Sequence, residues 1–154
     1  MRAKALITLT LLALIVTACA TVRVNPEEEA YKRRILDISV RHTNIMEAYA
    51  NDLDTNNYSL IYRSALSTMD QQQRIRNVLQ ATTPPLGYSE FHSKFIKVFE
   101  KNIIALTYMK KGYAILLGLE KGTEKDAVKY INMSRDTTRE ANRLMREAKA
   151  IWPK

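Results

Sequence analysis

Cysteine is nearly absent from this chain: one occurs in 154 residues, at Cys19. A lone cysteine forms no intramolecular disulfide, and neither a Cys-x-x-Cys pair nor a Cys-x-x-Cys-His haem site exists. There are two histidines, His42 and His92, and neither stands in a His-Glu-x-x-His or Glu-x-x-His pattern. The helix motifs that hold zinc or a di-iron centre are therefore missing. Glycine and proline number four each, too few for a turn-rich β-sandwich or a disordered stalk. No Gly-x-Ser-x-Gly elbow and no phosphate-cradling glycine loop occurs. Long apolar runs are scarce as well: one, from Ala5 to Val16, is about a dozen residues, whereas about 20 are needed to cross a bilayer as a helix.

What is present begins with that run. Met1-Arg2-Ala3-Lys4 is basic, "ALITLTLLALIV" is apolar, and Thr17-Ala18 are small, which is the build of a secretory signal. Val16-Thr17-Ala18-Cys19 resembles the lipobox of bacterial lipoproteins: an aliphatic residue, two small ones and a cysteine. The resemblance implies a thioether between the Cys19 sulfur and diacylglycerol, cleavage before Cys19 and acylation of the new amine. Several acyl chains anchor stably where one is marginal. Ala20 after the cysteine, in place of Asp, implies transport to the outer membrane, facing the periplasm, if the cell is Gram-negative. The bilayer is then the first expected partner and the cell envelope the expected location.

Cleavage after residue 18 turns the 154-residue chain into one of 136, enough for one domain with a real core. Arg2 and Lys4 leave with the signal, so 24 basic side chains become 22 against 16 acidic ones, a net +6. The division is signal peptide 1–18, lipidated Cys19 and a short tether 19–25, and a domain 26–154.

Within that domain four helices are expected. Asn25 caps the first, Pro26 suits its first turn and Glu27, Glu28 and Glu29 favour the positive end of its dipole. Its seam is Tyr31, Ile35, Ile38, His42, Ile45 and Tyr49, and "DLDTNN" ends it. The second runs from about Tyr58 to Gln80 with Ile61, Ala65, Thr68, Gln72, Ile75 and Leu79 on one face. Pro84 and Pro85 forbid continuation. The third opens at Tyr88 or Ser89 and carries Phe91, Phe95, Val98, Phe99, Ile103, Leu106, Met109, Tyr113, Leu116 and Leu117. A stop at Gly122 and a Thr123–Asp126 capping box introduce the fourth. Its seam is Ala127, Ile131, Ser134, Thr138, Ala141, Met145, Ala148 and Trp152. Four amphipathic helices with short turns predict an all-α, antiparallel up-down four-helix bundle, and the alternating four-and-three spacing predicts coiled-coil-like packing.

Candidate sites are few. His42 lies on the seam of the first helix, about 16 residues or about 24 Å from its base, while His92 sits near the base of the third. The two cannot share an ion within one subunit, so a hydrogen-bonded core histidine and a helix-end histidine are expected, with no metal and no cofactor. Arg135, Arg139, Arg146 and Lys149 fall in a row on the fourth helix, a candidate interaction surface for anionic groups. The tether of six residues reaches at most roughly 20 Å. The first helix therefore starts near the bilayer, and an up-down bundle returns the Pro-Pro turn and the C-terminus to that end. Trp152 and Lys154 are the candidate membrane contacts.

The functional expectation is a membrane-anchored, non-enzymatic interaction or scaffolding module that binds another envelope protein or a second copy of itself. Nucleic acid is not an expected partner. A small-ligand- or metal-binding sensor bundle built around His42 is the second reading. The segment "PPLGYSEFH" also resembles helical lipoproteins with a Pro-Pro turn before a His-bearing helix, a likeness that brings no activity with it.

Overall fold

A computed structural model describes residues 25–153; Cys19 and the rest of 1–24, and Lys154, lie outside the described residues. It contains helices α1 (Pro26–Leu53), α2 (Tyr58–Gln80), α3 (Ser89–Leu116) and α4 (Glu124–Ala150) and is an antiparallel up-down bundle.

Each helix start has a local cause. The Asn25 side chain accepts the Glu27 amide at 3.1 Å, and Asn57 accepts the Leu60 amide at 3.0 Å. Thr123 and Asp126 form the reciprocal box, Asp126 N–H to Thr123 Oγ1 at 3.2 Å and Thr123 N–H to Asp126 Oδ2 at 2.9 Å. No side chain caps α3; the two prolines and Gly87, at φ +90°, turn the chain into it.

One expected signal is displaced. The stop of α3 is Gly118, not Gly122. Gly118 takes φ +70°, its N–H bonds the Ile115 carbonyl at 3.0 Å, and Leu119 N–H reaches back to Ala114 O at 2.8 Å. That pair of bonds satisfies the last carbonyls of the helix, and a residue without Cβ suits the left-handed position. Gly122 is needed for space instead: a Cβ there would lie 2.9 Å from Ile115 Cδ1.

The six seam positions expected for α2 are the six buried ones. On α1, Tyr31, Ile35, Ile38 and Tyr49 are buried, with His42 and Ile45 half-buried. On α4, Ala127, Ser134, Ala141 and Ala148 are buried, one every seventh residue. They meet a matching row on α3, Val98, Ala105 and Gly112, also every seventh. Small side chains in both rows let the axes approach, since helix separation follows the side chains at the contact. Lys101–Glu140 at 2.9 Å and Lys94–Glu147 at 3.4 Å pair along the same register.

α3 is the central element and buries more than its expected stripe: His92, Asn102, Ala105, Gly112, Ala114 and Ile115 join it, while Ile103, Tyr113, Leu116 and Leu117 are half-buried. A single stripe serves a helix with one neighbour; α3 packs on α2 and α4 and takes side chains from α1. The core divides along its length. The half nearer the chain's ends is aromatic, with Tyr31, Tyr88, Phe91, Phe95 and Phe99 packed on Leu79 and Ile75. The other half holds Tyr49, Ala65, Leu106 and Met109, flanked by Met46, Leu53, Met69, Tyr113 and Ile131.

Candidate functional site: the open side of the bundle

In a closed four-helix bundle the first and last helices are neighbours. Here no Cα of α1 comes within 8 Å of a Cα of α4, although α1–α2, α2–α3 and α3–α4 all approach that closely. α1 presents bulky residues to the interior, Tyr31, Ile35, Ile38 and Tyr49, and these keep it away. α1 and α4 therefore stand further apart than the sequential pairs: side chains of both still share the aromatic core, and in the other half α3 forms the floor of a gap between them.

In the methionine-bearing half this opening is a groove of about 560 Å³. Met46, Tyr49, Ala50 and Leu53 of α1 form one wall, and Ile131, Ser134, Arg135, Thr138 and Arg139 of α4 the other. The floor is Asn102, Ala105, Leu106, Met109 and Tyr113. Two of its polar groups are unusual. Tyr49 is only 6% exposed, and its hydroxyl has no hydrogen-bond partner among the described residues. Asn102 is a carboxamide buried to 5% exposure in an otherwise apolar floor. Burial, with the Tyr113 hydroxyl nearby, raises the Tyr49 pKa, and burial raises that of Tyr113 against the charge of Arg135. Both phenols are therefore neutral donors at physiological pH.

The expected basic row runs beside this opening. Arg135 and Arg139 line the groove itself. Arg146 and Lys149 lie two and three turns further along the same face, and the Lys149 charge is felt at His42 on α1. All four are exposed. Arg139 pairs with Asp136 at 2.8 Å, and the neighbouring Arg143 with Glu147 at 2.8 Å. Arg135 makes no ion pair among the described residues.

The histidines occupy different sites. His92 is the buried one: its Nε2 is 3.0 Å from the Leu79 carbonyl and its Nδ1 3.0 Å from the Tyr31 hydroxyl. A carbonyl only accepts, so Nε2 carries the proton and Nδ1 accepts from Tyr31. The ring thus satisfies a carbonyl at the end of α2 and ties α1, α2 and α3 together. His42, half-buried, stacks edge-on over Phe99 at 5.0 Å and donates from Nδ1 to Gln72 Oε1 at 3.1 Å. Desolvation lowers both histidine pKa values. They are separated by the 11-residue step from Tyr31 to His42, roughly 16 Å of helix rise. Among the described residues no three His, Cys, Asp or Glu side chains gather as a metal site.

Trp152 is half-buried against Phe91 at 4.5 Å and Tyr88 at 5.3 Å. Leu86, at the tip of the Pro-Pro turn, is 102% exposed. The Tyr88 hydroxyl donates to Glu28 Oε1 at 2.8 Å, so the start of α1, the Pro-Pro turn and the C-terminal residues meet at one end. Among the described residues no helix is long and apolar enough to cross a membrane.

Comparison with known protein families, with characterised proteins and with solved structures finds no match. The groove residues Tyr49 and Tyr113 read in sequence only as core positions, and Asn102 interrupts the apolar stripe of α3. A polar residue at a core-facing position was the signal available for it.

Proposed function

We propose that this protein is a lipid-anchored bundle of the bacterial cell envelope that acts by binding and not by catalysis. The anchor is Cys19, read from its lipobox, and the bundle domain is an interaction or scaffolding module. One observation carries the reading: the start of α1 shares an end with the Leu86 turn and Trp152. A short tether at that end turns the open α1–α4 side away from the headgroups and leaves it accessible. The row Arg135, Arg139, Arg146 and Lys149 flanks the opening, and its charge suits an envelope partner that presents carboxylates.

Metabolic labelling with a fatty acid tests the anchor. Label on the wild type that is lost in Cys19→Ala, together with release or failure of processing, is the expected result; undiminished label in the variant overturns the lipoprotein reading. For the binding role, a photo-crosslinking residue at Arg146 in the native envelope is expected to capture one reproducible partner in a salt-sensitive way. Crosslinks to a second copy of the chain would make the row a self-association surface instead.

A further inference from the structure

We propose that the α1–α4 groove is a binding site for a small amphipathic anion, an apolar chain or ring system carrying a carboxylate or phosphate. This inference does not depend on the anchor, and it gives Arg135 and Arg139, part of the row proposed to meet a partner, a ligand of their own inside the groove.

Three observations converge on it. First, the volume of about 560 Å³ lies within the range of small-molecule sites, about 300–1,000 Å³. The groove runs from Asn102 to Tyr113 on the floor, 11 residues or roughly 16 Å of helix rise. Second, the lining is apolar at its centre, where Met46, Leu106 and Met109 meet, and charged at one rim. Arg135 makes no ion pair among the described residues and Arg139 is held by an exposed contact to Asp136, so both guanidinium groups can turn to an anion. Asp54 is the lone acid among the lining residues, at the C-terminal end of α1. Third, the Tyr49 hydroxyl is buried without a partner beside that lining. Buried polar groups are paired in the great majority of cases, and the Tyr49 hydroxyl is a buried donor on this groove that a ligand oxygen can occupy. Met46 and Met109, with their adaptable thioethers, are the side chains that give way to admit it.

The arrangement assigns roles. Arg135 and Arg139 hold the anionic head at the rim, and the methionines and Leu106 bury the apolar body. The Tyr49 hydroxyl, beside Tyr113 and so near Arg135, donates to the same head. Charge at the rim with an apolar interior selects for a molecule having both, against a neutral alcohol of the same length and against inorganic phosphate.

The experiment uses the full-length protein in phosphatidylcholine vesicles with three photoactivatable dodecyl probes: a carboxylate, a phosphate monoester and the neutral alcohol. After irradiation the labelled peptides are mapped. The expected result is labelling of the 46–53 and 106–113 segments by one or both anionic probes. The alcohol should label them about tenfold less, and free dodecanoate should compete. Preference for the carboxylate points to a fatty-acid-like ligand and preference for the phosphate to a phospholipid-derived one; either supports the site. Arg135→Gln with Arg139→Gln should lower groove labelling about tenfold. Tyr49→Phe should lower it several-fold while raising the thermal midpoint, because it removes an unpaired buried hydroxyl. That opposite pair of effects separates a ligand contact from a general loss of fold. Labelling confined to the Leu86 end, equal labelling by alcohol and anions, or indifference to the arginine changes would overturn the proposal. Crosslinks between two copies through the groove residues would do so as well.

Discussion

A Cβ on Gly112 of α3 would lie 3.0 Å from the carbonyl oxygen of Ala127 and 2.8 Å from Ile131 Cγ1, both on α4. The approach of α3 to α4 at this point thus depends on one missing methyl group. Replacing glycine by alanine inside a helix ordinarily stabilises by about 0.5–1 kcal/mol. Here the obstacle includes backbone, which cannot rotate away, and overpacking costs about 1–3 kcal/mol. The clash wins. Gly112→Ala is expected to lower the urea midpoint; a raised midpoint would mean that α3 and α4 separate freely.

Phe99 is 0% exposed and lies between Phe95, at 5.2 Å, and the ring of His42, at 5.0 Å. Phe99→Ala is expected to cost about 3–5 kcal/mol. Urea unfolding followed by circular dichroism measures it. A loss below about 1 kcal/mol would be inconsistent with its place in the aromatic half of the core.

Stability should fall over a window that opens at about pH 6.5 and extends to lower pH. Both histidines have folded pKa values below the ordinary 6.5 because burial disfavours their charged forms. The unfolded chain then binds more protons in that window, so the stabilisation is complete above about 6.5 and is lost as pH falls through the window. Carboxylates act in a separate, more acid range: Glu28, held by Lys32 and Tyr88, and Asp126, held by Thr123, have lowered pKa values. Thermal midpoints measured from pH 7 to pH 5 should show the first slope, and His92→Gln should flatten it.

At the Pro-Pro end Trp152 and Leu86 differ in how much apolar surface they leave free. Trp152 spends much of its surface on Phe91 and Tyr88, whereas Leu86 spends none. In vesicles containing brominated lipids, a tryptophan placed by Leu86→Trp in a Trp152→Phe background should be quenched more strongly than native Trp152. Equal protection of both from lipid, with strong quenching by aqueous iodide, would place that end away from the bilayer.

The helical seams were legible because each depends on a local period. A helix with one buried side must repeat its core residues every three or four positions, and Ile61 to Leu79 of α2 do so without exception. Caps were equally legible, since Asn25 and the Thr123–Asp126 pair act on amides two or three residues away. The lipobox is read the same way, as a short run of residue types ending at Cys19.

What depends on distance was not legible. Gly118 and Gly122 are alike in sequence; only the tertiary path decides which takes the left-handed turn and which clears Ile115. His92 stands at a helix end as expected but is buried there, because it meets the end of α2 and the Tyr31 hydroxyl, 13 and 61 residues away. The groove belongs wholly to the tertiary level. Alternation of large and small residues on single helices does not say which pair closes and which stays apart. Small rows on α3 and α4 draw those two together, bulky residues on α1 hold it off, and the open side with its unpaired tyrosine is what remains.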